Sequence, residues 1–344
     1  MEWITAEELN LWARSEIASR EKISEIVARL IIGTAHRIDS IRIPTRSSFQ
    51  IHGFDGTLTA SGVPPYVPEG DSIWEFGASE DYVQKANDDY KNRTIDLTLA
   101  DKYSQTTLVI VTPRRWDRPR GPTLEEWEQQ KKGENVWKDV RVYDGIKLEA
   151  WLKENPAVAS YISRYVLRKT PRIGARSTDE FWEEYSAHFD PLLTEQVLIC
   201  GREDQAKDLC QRLDSGPPAI RLVADHPDEA VAFSVAAIRS TTTELKEFLE
   251  SRTLIIDSEE AARLLADRPN MIFIPCGSAL KMANTLSVKN PTIVPLGRQE
   301  RGRGGTLVLN RPSTTDFQKA LESMALKPDS ARLSPYNAVN PKLA

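Results

Sequence analysis

The sequence predicts a two-domain α/β protein, and three observations predict it. At 344 residues the chain has room for two hydrophobic cores. Short apolar runs that read as strands alternate with longer segments whose apolar residues recur at helical spacing. The vocabulary also changes along the chain: all eight tryptophans fall at or before Trp182, and all three cysteines (Cys200, Cys210, Cys276) fall after it. The change centres on residues 168–195, where Lys169-Thr170-Pro171-Arg172-Ile173-Gly174 reads as a linker. The expected layout is a first domain over 1–165, a linker over 166–194, a second domain over 195–330 and a tail over 331–344.

The elements of the first half follow in order. Thr5-Ala6-Glu7-Glu8 opens a helix, with Thr5 as cap and Glu8 closing a capping box. Ile23, Ile26, Val27, Leu30 and Ile31 then mark a second helix by their spacing, and Glu25 lies off that stripe. Ile51–Leu58 and Ser72–Phe76 read as strands, separated by the turn-rich Ser61-Gly62-Val63-Pro64-Pro65. Residues 79–100 read as a helix. Leu108–Thr112 and Val140–Tyr143 are apolar runs of the kind buried on both faces of a sheet. Gly145–Leu152 closes the half as a helix.

The chemistry concentrates on three residues. Asp55 stands in Gln50-Ile51-His52-Gly53-Phe54-Asp55-Gly56, Glu75 in Ser72-Ile73-Trp74-Glu75-Phe76-Gly77, and Lys85 a few residues into the following helix. An acid at the end of one strand and another on the next form a site for a hard cation. Mg²⁺ takes one or two carboxylates and completes its shell with water and phosphate. A lysine beside it orients or deprotonates a water and balances phosphate charge. The plain alternative is a turn closed by Asp55-Gly56 and a surface ion pair between Glu75 and Lys85. On the same helix Asn87, Asp88, Asp89, Asn92 and Arg93 read either as the wall of a cleft behind the cation or as ion-pair decoration.

The trio resembles the PD-(D/E)XK, or restriction-endonuclease-like, nuclease superfamily. Asp55 matches its first acid and Glu75 its second, while Gly77 stands where its lysine usually falls. Some members carry that lysine on the next helix, which is where Lys85 lies. The resemblance implies a mixed sheet flanked by helices over roughly residues 1–165, with Asp55, Glu75 and Lys85 catalytic and Mg²⁺ (Mn²⁺ as substitute) on Asp55 and Glu75. It also makes Glu25 a candidate further metal ligand.

Composition bounds the function. No apolar run is long enough to span a membrane, and the acidic start Met1-Glu2-Trp3 carries no signal peptide. Three cysteines without a CxxC pair argue against a zinc site or a disulfide framework, so a cytoplasmic protein is expected. The net charge of −5 hides a basic loop, Arg114, Arg115, Arg118 and Arg120, with Trp116 interleaved, which is the candidate DNA-contacting surface. A second basic run, Arg164, Arg168, Lys169, Arg172 and Arg176, reads as linker.

The second half alternates short strands and helices. Val197–Cys200, Ala219–Val223, Thr253–Ile256, Met271–Ile274, Thr292–Val294 and Thr306–Leu309 are the candidate parallel strands, with helices such as Ala206–Leu213 and Asp228–Ile238 between them. Gly201-Arg202-Glu203 before a helix resembles the entry to a STAND-type P-loop ATPase domain. Yet Ala224-Asp225-His226-Pro227-Asp228-Glu229-Ala230 follows the second strand, where a phosphate-binding loop would need glycines and a lysine. A degenerate P-loop-like domain without ATP is expected. Asp257 reads as an ordinary strand-end acid, and Arg298, Arg301 and Arg303 as a basic loop among glycines. The tail from Ser330 stops abruptly, as in a truncated chain or a compact member whose second domain binds a partner.

These readings combine into a metal-dependent DNA endonuclease, a prokaryotic antiphage effector gated by its C-terminal module or a partner. The alternative is a non-catalytic DNA- or protein-binding module of a defence complex. Expected partners are DNA and either further copies of the chain or a defence subunit, with no membrane.

Overall fold

The computed structural model describes residues 2–15, 19–43, 54–95, 102–117, 121–170, 174–215, 218–300 and 306–324. It is α/β throughout and divides into two compact units, Glu2–Leu167 and a second unit beginning at Arg168. Among the described residues, no helix is long and apolar enough to cross a membrane.

The first unit opens with α1 (Ala6–Ser15) and α2 (Ser19–Thr34). The expected capping box is present: Thr5 N donates to Glu8 Oε2 at 2.9 Å, and Glu8 N donates to Thr5 Oγ1 at 3.2 Å. Ile23, Ile26, Val27, Leu30 and Ile31 are all fully buried. Next come β1 (Ile38–Arg42), β2 (Gly56–Ala60), β3 (Gly70–Phe76), α3 (Tyr82–Thr94), β4 (Thr107–Val111), α4 (Leu124–Gly133), β5 (Asp139–Tyr143), α5 (Gly145–Glu154) and α6 (Pro156–Tyr165).

The five strands form one mixed sheet in sequence order. β1, β2 and β3 are antiparallel neighbours, while β3, β4 and β5 run parallel because α3 and α4 make the crossovers. β4 is buried along its whole length, and β3 is buried from Ser72 onward. That is why Leu108–Val111 reads as an unbroken apolar run. One face packs Ile73, Leu108, Ile110, Val140 and Val142 against Tyr82, Ala86 and Tyr90 of α3 and Trp127 of α4. On the helical layer of α2, α5 and α6, Trp151 Nε1 donates to Thr34 Oγ1 at 2.7 Å, and Thr34 donates on to Asn155.

Some elements depart from expectation. β1, α4 and α6 are additional to the sequence reading. α3 begins at Tyr82 rather than near Ser79, because Asp81 caps it by accepting from Gln84 N at 3.2 Å. The strand expected over Ile51–Leu58 is β2, from Gly56; residues 51–53 lie outside the described residues, as do 96–100 of the expected helix.

The second unit contains β6 (Ala175–Arg176), α7 (Thr178–Ser186), α8 (Glu195–Ile199), α9 (Glu203–Ser215), β7 (Ala219–Ala224), α10 (Pro227–Ser240), α11 (Thr243–Glu250), β8 (Thr253–Ile256), α12 (Glu259–Leu265), β9 (Ile272–Pro275), α13 (Ala283–Leu286), β10 (Thr292–Gly297), β11 (Thr306–Val308) and α14 (Thr314–Met324). Its six-stranded sheet has the order β11-β7-β10-β9-β8-β6, parallel except at β6. β7 lies between β10 and β11, and the chain leaves it toward β8 but returns from β10 to β11 on the other side. The loops after β7 and β10 therefore diverge at a topological switch point.

Two expectations are corrected here. Val197–Cys200 is no strand: Val197, Leu198 and Ile199 are buried in helix α8. A four-residue apolar run fits a buried helix as well as a strand, so periodicity alone does not separate them. The segment 166–194 is no bare linker either, since Arg176 is in β6, paired with β8, and Ser177 caps α7 in a capping box with Glu180. The tail 331–344 lies outside the described residues.

A fragment spanning 2–167 should fold alone, because it holds a complete sheet with helices on both faces. Brief trypsin treatment of the full chain should cut first after Arg168 or Lys169, leaving a fragment with a cooperative thermal transition. A first cut within α7, or a 2–167 fragment without such a transition, would show the boundary to be misplaced.

Candidate active site

The expected trio is assembled at the carboxyl end of β3. Side chains alternate along a strand, so Ile73, Glu75 and Gly77 share the face covered by α3. Gly56 pairs with Trp74 across β2 and β3, and continuing that register by one residue sets Asp55 against Glu75. Asp55 is tied to β3 directly: its Oδ2 accepts from Phe76 N at 2.9 Å. Gly77 N donates to Val111 O at 3.0 Å, so the end of β3 is held on its other side by β4.

Glu75 is 1% exposed. Both its oxygens accept from Arg93, Oε1 from Nε at 2.5 Å and Oε2 from Nη2 at 3.2 Å. Burial pushes its carboxyl up to about 7, with Arg93 opposing that rise and the Asp55 charge adding to it. Two like charges on facing strands are destabilising unless a cation sits near them.

Lys85 belongs to the site through its stem. A Cβ built on Gly77 would lie 3.2 Å from Lys85 Cγ and 3.5 Å from Cε. The lysine side chain from α3 thus runs beside the place where a side chain of residue 77 would begin. Its ammonium pairs with Asp89 Oδ1. Lys85, Asp89 and Arg93 follow at four-residue intervals and form one stripe of α3. Burial raises the Asp89 carboxyl, Lys85 opposes that rise, and Asp55, Arg93 and Glu75 also interact with its charge. Asp89 and Arg93 are thus members of the site that sequence reading left beside Asn87, Asp88 and Asn92. The usable signal was their spacing from Lys85. Asn87 accepts from Trp127 Nε1 at 3.0 Å, and Asp88 accepts from Gln84 Nε2 at 2.9 Å on the exposed side.

Glu25 is engaged elsewhere. It is buried and accepts from Tyr161 Oη at 3.1 Å, with Arg29 Nε at 3.5 Å, and Arg29 also lies over the Tyr161 ring. Among the described residues, no three His, Cys, Asp or Glu side chains converge as a cation cage. Two carboxylates with water suffice for Mg²⁺, and each Glu75 oxygen keeps a lone pair beyond the one that Arg93 takes. Asp89 Oδ2 is buried without a hydrogen-bond partner. Arg93 already supplies a positive charge to Glu75, Asp55 and Asp89, and the carboxylate oxygens of Asp55 and Glu75 are the donor type that a hard divalent cation takes.

Of the four arginines of the basic loop, Arg114 has a different role from the one expected. Arg114 is 5% exposed, which removes it from any DNA-contacting surface. Its guanidinium donates to Ala78 O at 3.0 and 3.1 Å and to Ala13 O at 3.1 Å, pinning the end of α1 to the β3–α3 loop. Arg115 is half-exposed and pairs with Glu7 at 3.3 Å and Asp117 at 3.4 Å. Trp116 is buried, with its Nε1 donating to Pro122 O, so it offers no free stacking face. Arg118 and Arg120 lie outside the described residues.

In the second unit the loop after β7 is closed by its own acids. Gly201 takes a φ of +67° where α8 ends, and Arg202 turns inward. Arg202 pairs with Glu229 at 2.8 Å, both nearly fully buried, and donates to Asn310 O. Glu229 Oε2 accepts from Asp225 N at 3.0 Å, and the Asp225 carboxylate is bound by Arg298 and Arg311. A cleft of about 740 Å³ opens there, lined by Gly201, Arg298, Asn310, Arg311, Ser313 and Asp316. Asp257 pairs with Arg176 at 3.3 Å. Arg301 and Arg303 lie outside the described residues.

No protein-family model matches this chain, and no curated protein matches it in sequence.

Arg114→Ala should destabilise the protein by about 2–4 kcal/mol, because it orphans buried carbonyls and removes a charged donor. Thermal melts would register this as a drop of several degrees. An unchanged melting temperature would mean that Arg114 is not a structural tie.

Proposed function

We propose that the first unit is a metal-dependent DNA endonuclease of the PD-(D/E)XK type, acting as an antiphage effector gated by the second unit or a partner. The observation that carries this reading is the placement of Lys85: its stem runs alongside Gly77, beside two carboxylates held at the ends of adjacent strands. This supports a lysine that has moved onto the helix while keeping its place in the site. The mixed sheet, with α3 following β3, supports the same reading.

Asp55 and Glu75 would hold Mg²⁺ or Mn²⁺, which supplies Lewis-acid stabilisation of the charge that builds on the phosphate. The chain's own groups do the rest. The Phe76 amide fixes the Asp55 carboxylate, and Arg93 fixes that of Glu75. Lys85 brings donors to the attacking water and the phosphate. A second reading is favoured by one feature, the two-point grip of Arg93 on Glu75. In that reading the ion pair is permanent, and the unit binds nucleic acid or protein without cutting.

For the second unit we propose a P-loop-like scaffold that takes no ATP. The donors that a phosphate would need are already engaged: Arg202 and the Asp225 amide by Glu229, and Arg298 and Arg311 by Asp225. Asp228 and Glu229 in the first turn of α10 also offset the positive end of that helix.

Incubation with plasmid and linear DNA, with and without Mg²⁺ or Mn²⁺ and without ATP, separates these readings. Cleavage should require the metal and fall by roughly a thousandfold in Asp55→Ala and in Glu75→Ala, with folding intact. At sub-saturating metal, cleavage should also decline as pH drops through about 7, where the metal-free Glu75 carboxyl takes up a proton that the cation must displace. A well-folded Asp55→Ala protein that cuts at the parent rate would overturn the assignment. DNA binding without cleavage under any metal would select the second reading.

A further inference from the structure

Lys85 and Asp89 face each other one turn apart on α3, and they differ sharply in exposure. The lysine side chain keeps 39% of its surface and that of Asp89 only 8%. Ordinary helix decoration looks like Asp88, which is exposed and bonded to Gln84. A carboxylate taken out of water is costly unless it is fully partnered, and Asp89 is only half partnered. Its Oδ1 accepts from Lys85, while Oδ2 is buried with no partner.

The lysine is held at two points. Its stem lies alongside Gly77, where any larger residue would press a Cβ against Cγ at 3.2 Å. Its ammonium is bound by Asp89. A four-carbon chain free in water loses much rotamer freedom when it is fixed, and here that freedom is removed before any substrate arrives.

We infer that Asp89 is a positioning residue, which holds the Lys85 side chain against the end of β3 so that its amine is set toward phosphate and water. The reaction assigned to it rests on the nuclease reading; the hold itself rests on the geometry alone. An ammonium has three protons to donate. Asp89 takes one, leaving one for a phosphate oxygen and one for the attacking water. In the hydrolysis the water oxygen bonds to phosphorus, one P–O ester bond breaks, and the water's proton passes through solvent to the leaving alkoxide. The charged groups around Asp89 include Lys85 and Arg93 from its own helix and Asp55 and Glu75 from the strand side.

Asp89→Asn tests this, because it keeps the size of the side chain and removes its charge. The first readout is acetylation of Lys85 by an amine-reactive ester, followed by peptide mass spectrometry with Lys91 as internal reference. Lys85 should react at least about fivefold faster in the variant, since the carboxylate that holds and shields its amine is gone. The second readout is DNA cleavage, where kcat should fall roughly 10- to 100-fold with KM nearly constant, and Asp89→Glu should recover part of the loss. Unchanged Lys85 reactivity in folded Asp89→Asn overturns the inference whatever the cleavage result. Faster acetylation with undiminished kcat also overturns it. Faster acetylation in a protein whose parent cuts no DNA with any metal supports the hold and sinks the nuclease reading instead.

Discussion

Burying a carboxylate in the middle of a sheet is the constraint on which the first unit is built. Glu75 sits on a central strand, almost without solvent, and its cost is met by one guanidinium from α3. That single requirement fixes much else. Arg93 must lie over β3, so α3 must cross the sheet at that point, which carries Lys85 past Gly77 and buries Asp89 beneath them. Asp55 then adds a second negative charge from the facing strand. Three acids and two bases share one small volume, an arrangement that a purely structural core would replace with apolar side chains.

Much of this was legible in the sequence, and the reasons differ by residue. The apolar run Leu108–Val111 announces a strand buried on both faces, and the helical stripe from Ile23 to Ile31 announces a buried helix. Asp55, Glu75 and Lys85 stand out by residue type at strand ends and a helix start. Asp89 and Arg93 were harder to read, because charged residues at four-residue intervals are also what an exposed helix displays. Only the packing of α3 on the sheet separates buried Asp89 from exposed Asp88. Arg114 misled for the same reason: a cluster of arginines beside a tryptophan has the composition of a nucleic-acid surface. Three carbonyl bonds to Ala78 and Ala13 turn it into an internal tie.

The second unit fills the switch point of its sheet with its own charged side chains. Its parallel sheet places two loops at a switch point, where ligands of α/β proteins commonly bind. Asp225 and Glu229 occupy that point and engage Arg202, Arg298 and Arg311 as an anion would. The sequence displays plainly that residues 224–230 contain no glycine and no lysine. It does not display the distant arginines, because Arg202, Arg298 and Arg311 meet only once the strands are ordered. Gly201-Arg202-Glu203 also takes on a structural meaning: a left-handed turn, a buried pairing arginine and the first residue of α9.

The central claim is that Asp55 and Glu75 together hold a divalent cation. Titration of the purified protein with Mn²⁺, followed by the electron paramagnetic resonance of the free ion, tests it without requiring any substrate. The account predicts about one tight site per chain, lost in both Asp55→Asn and Glu75→Gln while their thermal transitions persist. A parent protein that leaves all Mn²⁺ free, or a site that survives both substitutions, would contradict it.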